Sequence, residues 1–222
     1  MLFLKMNTKQ GFYIMKAKLY CCVLPFLLVW NIASATTTLI TGDKQEYKPA
    51  IMALAQHNGL ERVELNLQQS FTVKRDDKSI GMLIQGRGWV REVHPVCFIG
   101  WSRDGEHVDQ FWLTIGQDEW EATGCHNISA VGIISGKNEQ QVKIAVVYEV
   151  EAAERYAFNY YILGLNETDS DIYYDQEITH RFENSYLNNI AELRRAYEKM
   201  SNSYTNNNHS EKSEKIIRKH YE

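Results

Sequence analysis

Apolar and polar residues alternate along the middle of the chain, between about Leu60 and Leu165. In "RVELNLQQSFTVK", Val63, Leu65 and Leu67 recur at every second position, as on one face of a β-strand. Short polar turns such as "SRDGEH" and "SGKNEQQ" separate the strand-like stretches that follow. Because parallel pairs need long crossovers, these turns predict antiparallel pairing. The further predicted strands are "SIGMLIQG", "GWVREV", "VCFIGW", "DQFWLTIG", "SAVGIISG", "VKIAVVYEVEA" and "RYAFNYYILGL".

Two segments have the 3.6-residue period of amphipathic helices instead. In "EYKPAIMALAQHNG", Pro49 suits the first helical turn and Gly59 the position after the last one. The stretch "SYLNNIAELRRAYEKM", residues 185–200, predicts a longer helix that Ser185 caps. The apolar face of the first helix would hold Ile51, Leu54 and Ala55, and that of the second Leu187, Ile190, Leu193, Tyr197 and Met200.

These elements predict an α+β fold in a single domain. We expect one mostly antiparallel sheet of about six to eight strands, with a short N-terminal helix and a longer C-terminal helix packing on it. "VKIAVVYEV" and "YAFNYYILGL" are apolar on both faces, which favours central strands that are covered on each side. The globular domain is predicted over 36–200. Residues 201–222, rich in Asn and Ser and then charged, are predicted to form a disordered polar tail.

The first 35 residues have the layout of a secretory signal peptide. Lys16 and Lys18 precede the apolar run "LYCCVLPFLLVW", and the small-x-small tripeptide "ASA" follows it and ends at Ala35. The run is shorter than the roughly 20 residues that cross a bilayer. We therefore predict cleavage near Ala35, a periplasmic or secreted mature protein, and no stable membrane insertion after the signal is removed. Met15 is the predicted initiator, and the residues before it are interpreted as an over-long start.

The acidic balance of the chain argues against one class of partner. The full chain has 24 Lys and Arg against 28 Asp and Glu, a formal charge of −4. Residues 1–35 contain four lysines and no acid, so the predicted mature chain has 20 basic and 28 acidic residues and a charge of −8. Proteins that bind nucleic acid backbones carry a basic excess. The sequence thus predicts no nucleic-acid partner.

Two cysteines, Cys97 and Cys125, remain once the predicted signal peptide is removed. An exported protein meets oxidising conditions, so an even number of cysteines predicts a disulfide. A zinc site with His94 and His126 is the alternative, but neighbours such as Cys125 and His126 point to opposite faces of a strand. A catalytic thiol would have to stay free, which export disfavours. We predict the disulfide, with no metal and no cofactor.

A protein-docking surface is predicted in the acidic stretch "QDEWE" and the preceding strand. Acidic side chains beside an exposed tryptophan would suit a basic partner. The alternative is a loop whose tryptophan is anchored in the core. The candidate binding residues are Trp112, Asp118, Glu119, Trp120 and Glu121.

The sequence gives less evidence for a catalytic site than for a binding surface. The chain has no HExxH, GxSxG or SxxK pattern, so we assign no catalytic residue from motifs. An exported hydrolase remains the alternative, with acid and base groups drawn from "DQEITH" and the acidic stretch. Its candidate residues would be Glu119, Asp175, Glu177 and His180.

The combined features favour a small exported binding or inhibitory protein, periplasmic in a Gram-negative host. An acidic, aromatic surface on a disulfide-linked domain without a catalytic signature would suit an immunity-type factor that docks a partner protein. Two alternatives stay open. One is the exported hydrolase, and the other is an envelope-associated structural protein that the C-terminal tail tethers.

Overall fold

The computed structural model describes residues 36–42, 45–136, 139, 141–152, 155–166 and 171–203. The predicted signal peptide, the proposed start at Met15 and residues 204–222 of the predicted tail lie outside this part of the chain. The described elements, in chain order, are β1 (Thr37–Thr41), α1 (Lys48–His57), β2 (Glu61–Leu65), β3 (Phe71–Arg75), β4 (Lys78–Val90), β5 (His94–Ser102), β6 (Gln110–Leu113), β7 (Gly124–Ile133), β8 (Val142–Ala152), β9 (Arg155–Leu165), β10 (Ile172–Tyr174), α2 (Gln176–Phe182) and α3 (190–203).

The strands form two antiparallel sheets, and the predicted α+β class is confirmed. The first sheet has the order β1-β3-β4-β5-β6, with β2 also paired to β4, and the second has the order β10-β9-β8-β7. The described strands thus number ten in two sheets, where one sheet of about six to eight was expected. Alternation along a strand identifies its buried face but not what covers that face, so it does not separate one sheet from two.

One predicted strand is divided by a turn. Asn66 interrupts "RVELNLQQSFTVK", because its side-chain oxygen accepts a hydrogen bond from the Gln69 amide at 3.1 Å and starts a 3-10 turn over Leu67–Gln69. Conversely, "SIGMLIQG" and "GWVREV" join into the 13-residue strand β4.

The inner faces of the two sheets share the main core. Trp101 and Ile99 of the first sheet and Tyr148 and Leu163 of the second are among its fully buried members. A second cluster lies on the outer face of the first sheet, under α1. A third lies on the outer face of the second sheet, under α2 and α3. The described chain therefore has four layers: helix, sheet, sheet and helices.

Glycines let the helices approach the sheets closely. A Cβ atom at Gly132 of β7 would lie 2.7 Å from Cγ2 of Ile190 in α3. Gly100 of β5 has the same relation to Ile51 of α1, whose terminal methyl occupies the space that a Cβ would need. Any side chain at either glycine would push the helix away from its sheet.

Local signals place α1 correctly. Pro49 lies in its first turn, and Gly59, with a φ of +80°, follows its end, as predicted. Ile51 and Ala55 of the predicted apolar face are buried.

The longer helix begins at 190 and not at the predicted Ser185. Asn189 caps it, because its side-chain oxygen accepts a hydrogen bond from the Glu192 amide at 3.0 Å. Ser185 instead donates to the Tyr160 hydroxyl at 3.2 Å, and that hydroxyl donates to the Leu187 carbonyl at 2.8 Å. These bonds hold the segment before the helix against β9. The helix also includes 201–203, the first residues of the predicted tail.

The short helix α2 begins within the "DQEITH" segment, where no helix was predicted. Asp175 caps it through a hydrogen bond from the Ile178 amide at 3.1 Å. Thr179, which is fully buried, accepts a hydrogen bond from the Ile162 amide of β9 at 3.0 Å. None of the described helices is both long and apolar enough to cross a membrane.

Candidate functional site

A cleft of about 810 Å³ opens at the side of the two sheets where β1 and β7 are edge strands. We call it the edge cleft. Its volume lies within the range of about 300 to 1,000 Å³ that is usual for ligand sites. The first sheet and the residue before it contribute Thr36, Thr37, Thr38, Leu39 and Phe71 to the lining of the edge cleft. The other lining residues are Val131, Gly132, Ile133 and Val142 of the second sheet, Ser135, Gly136 and Glu139 between β7 and β8, and Ile190, Arg194 and Glu198 of α3.

The floor of the edge cleft is apolar. Leu39 of β1 and Val131 and Ile133 of β7 are partly buried and pack against the main core from the cleft side. Ile190 of α3 forms part of the wall. A ligand in this cleft would therefore cover apolar surface that continues into the core between the sheets, which is favourable at about 25 cal/mol per Å².

Both strands at the edge cleft turn backbone groups towards it. The Thr36 carbonyl accepts a hydrogen bond from the Asp76 amide, so alternation along β1 directs the amides and carbonyls of Thr37 and Leu39 to the open side. The Ile134 amide donates to the Lys143 carbonyl, which directs the backbone groups of Ile133 to the cleft. Among the described residues, no hydrogen bond joins β1 to β7.

The rim of the edge cleft carries one cation and two carboxylates. Arg194 donates from Nε and Nη2 to the Ile133 carbonyl, at 3.1 and 2.6 Å, so one edge carbonyl already serves as an acceptor. Glu139 accepts a hydrogen bond from the Tyr197 hydroxyl at 2.8 Å. Burial and this carboxylate both raise the pKa of Tyr197, which keeps its proton and remains a donor. With Glu198, the rim has a net negative charge.

Comparison with known proteins does not assign the edge cleft. No protein-family model, curated protein or solved structure matches this chain. The chemistry of the described residues is therefore the basis for a functional proposal.

The predicted docking residues lie at the opposite edge of the first sheet. Trp112 of β6 and Trp120 are half-buried against the main core, and Trp120 contacts Tyr161 edge-on with ring centroids 6.1 Å apart. Asp118 and Glu121 are exposed. Glu119 lies with Asp118 and Trp120 in one 3-10 turn. The tryptophans thus anchor this segment, and the acidic groups of Asp118 and Glu121 face solvent.

Three of the four residues considered for a hydrolase are bound to a partner. Glu177 pairs with Arg181 at 2.7 Å and His180 with Glu183 at 2.6 Å, on the exposed side of α2. Asp175 forms a buried ion pair with Lys143 at 2.6 Å. Glu119 comes from a separate element, the turn between β6 and β7.

Lys143 is the residue of this region that the sequence analysis missed. Its ammonium donates to Asp175 at 2.6 Å, to the Tyr173 hydroxyl at 2.9 Å and to the Gln141 side chain at 3.2 Å. Burial acts to lower the pKa of Lys143, but the bonds to Asp175 and Tyr173 outweigh it and raise the pKa above its usual value. Lys143 therefore stays charged. The sequence feature that could have identified Lys143 is its position as a single charged residue within the apolar run "VKIAVVY".

Cys97 of β5 and Cys125 of β7 are placed as a disulfide, as predicted. Their Cα atoms are 5.6 Å apart, and both residues are fully buried in the main core. The bridge links the two sheets. The neighbouring histidines have other partners, since the His94 ring contacts the Gly116 carbonyl at 3.1 Å and the His126 ring packs on Tyr156. Across the part of the chain that the structure describes, no three metal-binding side chains converge.

A second cleft, of about 640 Å³, lies beside Glu64, Arg87 and His126. The positively charged residue in this second cleft, Arg87, already has several partners. Arg87 pairs with Glu64 at 2.9 Å, donates to the His126 carbonyl at 2.8 Å, and lies over the Trp89 ring at 5.0 Å. Since Arg87 joins β4 to β7 in this way, the second cleft is better explained by contact between the sheets than by binding.

A hydrogen bond in the loop between β5 and β6 should depend on pH. The Asp104 carboxylate contacts the His107 ring at 2.7 Å, and this hydrogen bond raises the pKa of His107 above its usual value of about 6.5. The contact between Asp104 and His107 therefore stabilises the fold fully when the pH is below the usual pKa of histidine, and this effect is lost as pH rises through the raised pKa of His107. We expect Asp104→Asn to lower the pKa of His107 in an NMR titration, and Glu106→Gln to change it less. An unchanged pKa in Asp104→Asn would contradict this assignment.

Proposed function

We propose that this protein is a small exported binding protein that holds an extended segment of a partner protein in the edge cleft. The carrying observation is that two sheet edges border one cleft with an apolar floor. A peptide that adds to a sheet edge gains main-chain hydrogen bonds, and pockets for alternate side chains supply specificity. An inhibitor or immunity-type factor would use such a cleft to occupy a strand of its target.

Export is part of the proposal. The N-terminal sequence has the features of a signal peptide, and the Cys97–Cys125 pair is typical of oxidising compartments. We place the mature protein in the periplasm or outside the cell. The exported hydrolase and the envelope-associated structural protein have no comparable observation in their favour among the described residues.

The rim of the edge cleft favours a particular kind of segment. Glu139 and Glu198 outnumber Arg194, whose guanidinium is partly used by the Ile133 carbonyl. A bound strand would thus place apolar side chains on the floor and a Lys or Arg near the two glutamates. We propose an apolar strand with a basic residue as the ligand class.

Two synthetic decapeptides test this proposal, one alternating Val and Thr with a single central Lys and a matched one with Glu instead. We expect the Lys peptide to bind about two- to fivefold more tightly, the range of an exposed ion pair. Glu198→Lys should reverse that preference in fluorescence polarisation. Amide hydrogen exchange should slow at Thr37 and Leu39, or at Val131 and Ile133, when the peptide is bound.

Glu121→Lys is the matched control, because it makes the same charge change in the predicted acidic docking stretch. It should leave the peptide preference unchanged. If Glu121→Lys changes the preference and Glu198→Lys does not, the acidic stretch is the docking surface and the edge cleft is not. Absence of binding by either peptide, with unchanged amide exchange, would overturn the proposal.

A further inference from the structure

Thr36 and Asp76 form a reciprocal pair of hydrogen bonds. The Thr36 amide nitrogen donates to Oδ1 of Asp76 at 2.9 Å, and the Asp76 amide donates to the Thr36 carbonyl at 3.1 Å. Asp76 belongs to the turn between β3 and β4 and has a φ of 48°, a left-handed conformation that aspartate tolerates better than most residues. The pair continues the register in which Thr37 lies opposite Arg75. The nitrogen of Thr36 is therefore held against a carboxylate.

We infer that Thr36 is the first residue of the working protein and that Asp76 is the counter-ion for its α-ammonium group. The small-x-small tripeptide "ASA" ends at Ala35, directly before this nitrogen. A host signal peptidase would hydrolyse the Ala35–Thr36 bond with one water molecule. Ala35 leaves with the carboxylate, and Thr36 keeps the nitrogen as a protonated amine. The inference rests on the export that we propose above.

Cleavage changes the strength of the contact with Asp76. In the uncleaved chain, the Thr36 nitrogen is a neutral amide with a single hydrogen. After cleavage it becomes a cation with three donors, so the attraction between two opposite charges is added to the hydrogen bond that the carboxylate already accepts. The carboxylate needs no rearrangement, because its oxygen already lies 2.9 Å from the nitrogen.

The new N-terminus would also complete the edge cleft. Thr36 and Thr37 line that cleft, so cleavage after Ala35 ends the chain at its rim. The α-ammonium would add a positive charge there, and Asp76 neutralises it. The rim of the edge cleft then keeps the net negative charge that Glu139 and Glu198 give it over Arg194, as the proposed basic ligand requires.

The first experiment is the N-terminal sequence of the protein exported from the full 222-residue chain in a Gram-negative host. We expect Thr36 as the first residue. A different first residue, or an uncleaved chain in the periplasm, would overturn the inference. If such a chain still binds the Lys decapeptide, the inference fails and the proposed function stands.

A stability cycle tests the role of Asp76. The exported protein that starts at Thr36 is compared with a version that has one additional N-terminal residue, Ala35, and each is also made with Asp76→Asn, which keeps an acceptor oxygen and removes the charge. Urea unfolding should show an unfolding constant about two- to fivefold smaller for the Thr36 start, a range typical of exposed ion pairs. Asp76→Asn should abolish that difference. An equal difference with asparagine would show that Asp76 is not the counter-ion.

Discussion

Replacing Asp175 with alanine should lower the free energy of unfolding by about 3 to 5 kcal/mol, the usual cost of leaving one member of a buried ion pair without its partner. The Lys143 side chain is only 8% exposed, and Asp175 is its sole anionic partner among the described contacts. The same substitution removes the cap of α2, which adds about 1 kcal/mol. Urea unfolding at pH 7 measures the loss.

Two comparison variants separate these contributions. Asp175→Asn keeps a side-chain oxygen for the cap, so its loss reports mainly on the ion pair. Glu177→Ala removes another carboxylate of the same helix, one that is 74% exposed, and should cost less than about 1 kcal/mol. Equal losses in Asp175→Ala and Glu177→Ala would show that the Lys143–Asp175 pair is not the main stabilising contact.

The pH dependence of Asp175→Ala identifies the charge as the cause. Without the carboxylate, burial is expected to lower the pKa of Lys143 below its usual value of about 10.4. The folded variant then releases a proton that the unfolded chain still binds, so its stability rises as pH increases towards 10. In the wild type the pKa of Lys143 is raised, and its contribution is lost only as pH rises through that value. We expect the gap between the two proteins to narrow with pH.

Loss of the disulfide should have the second large effect. The cysteines are 28 positions apart, and chain-entropy reasoning assigns about 3 to 4 kcal/mol to a bridge of that span. Cys97→Ala/Cys125→Ala should therefore unfold at a much lower urea concentration. The dependence on urea should also become steeper, because the unfolded chain is no longer held compact.

Reduced wild-type protein is the matched comparison, because it keeps both buried sulfur atoms and loses only the bond between them. It should lose nearly as much stability as the double variant. The contradicting result uses protein made from residue 36 onward and directed to a bacterial periplasm. Two free thiols in that protein, denatured without a reductant, would contradict the assignment of the bridge.

Much of the fold was readable from local sequence. Pro49 and Gly59 bound α1 as predicted, because both act through the backbone of their own segment. The cap of the longer helix lies four residues later than predicted, because Ser185, Asn188 and Asn189 all offered possible caps. Asn189 caps the helix, while contacts with Tyr160 engage Ser185 in another role.

The remaining differences have tertiary causes. Helix α2 has only seven residues, too few to be stable by itself, and it is fixed by Asp175 and by the bond between Thr179 and β9. The residues that were predicted for docking include two tryptophans. The sequence alone does not show whether a tryptophan packs into the core or is exposed to solvent. The contact between Trp120 and Tyr161 depends on two segments that are far apart in the chain.

By itself, the sequence determined the α+β class, the antiparallel pairing, the first helix and the pairing of Cys97 with Cys125. The first three follow from a local period or a short turn, and the cysteine pairing from the two cysteines that lie outside the predicted signal peptide. Only the tertiary structure decided that there are two sheets and that β1 and β7 lie beside one cleft. Whether a strand is at the edge depends on the order of strands in the sheet. The apolar runs of β8 and β9 indicated central strands, but no residue pattern within β1 or β7 shows that they are edges. The edge cleft joins residues 36–39, 131–133 and 190–198, and packing alone brings them together.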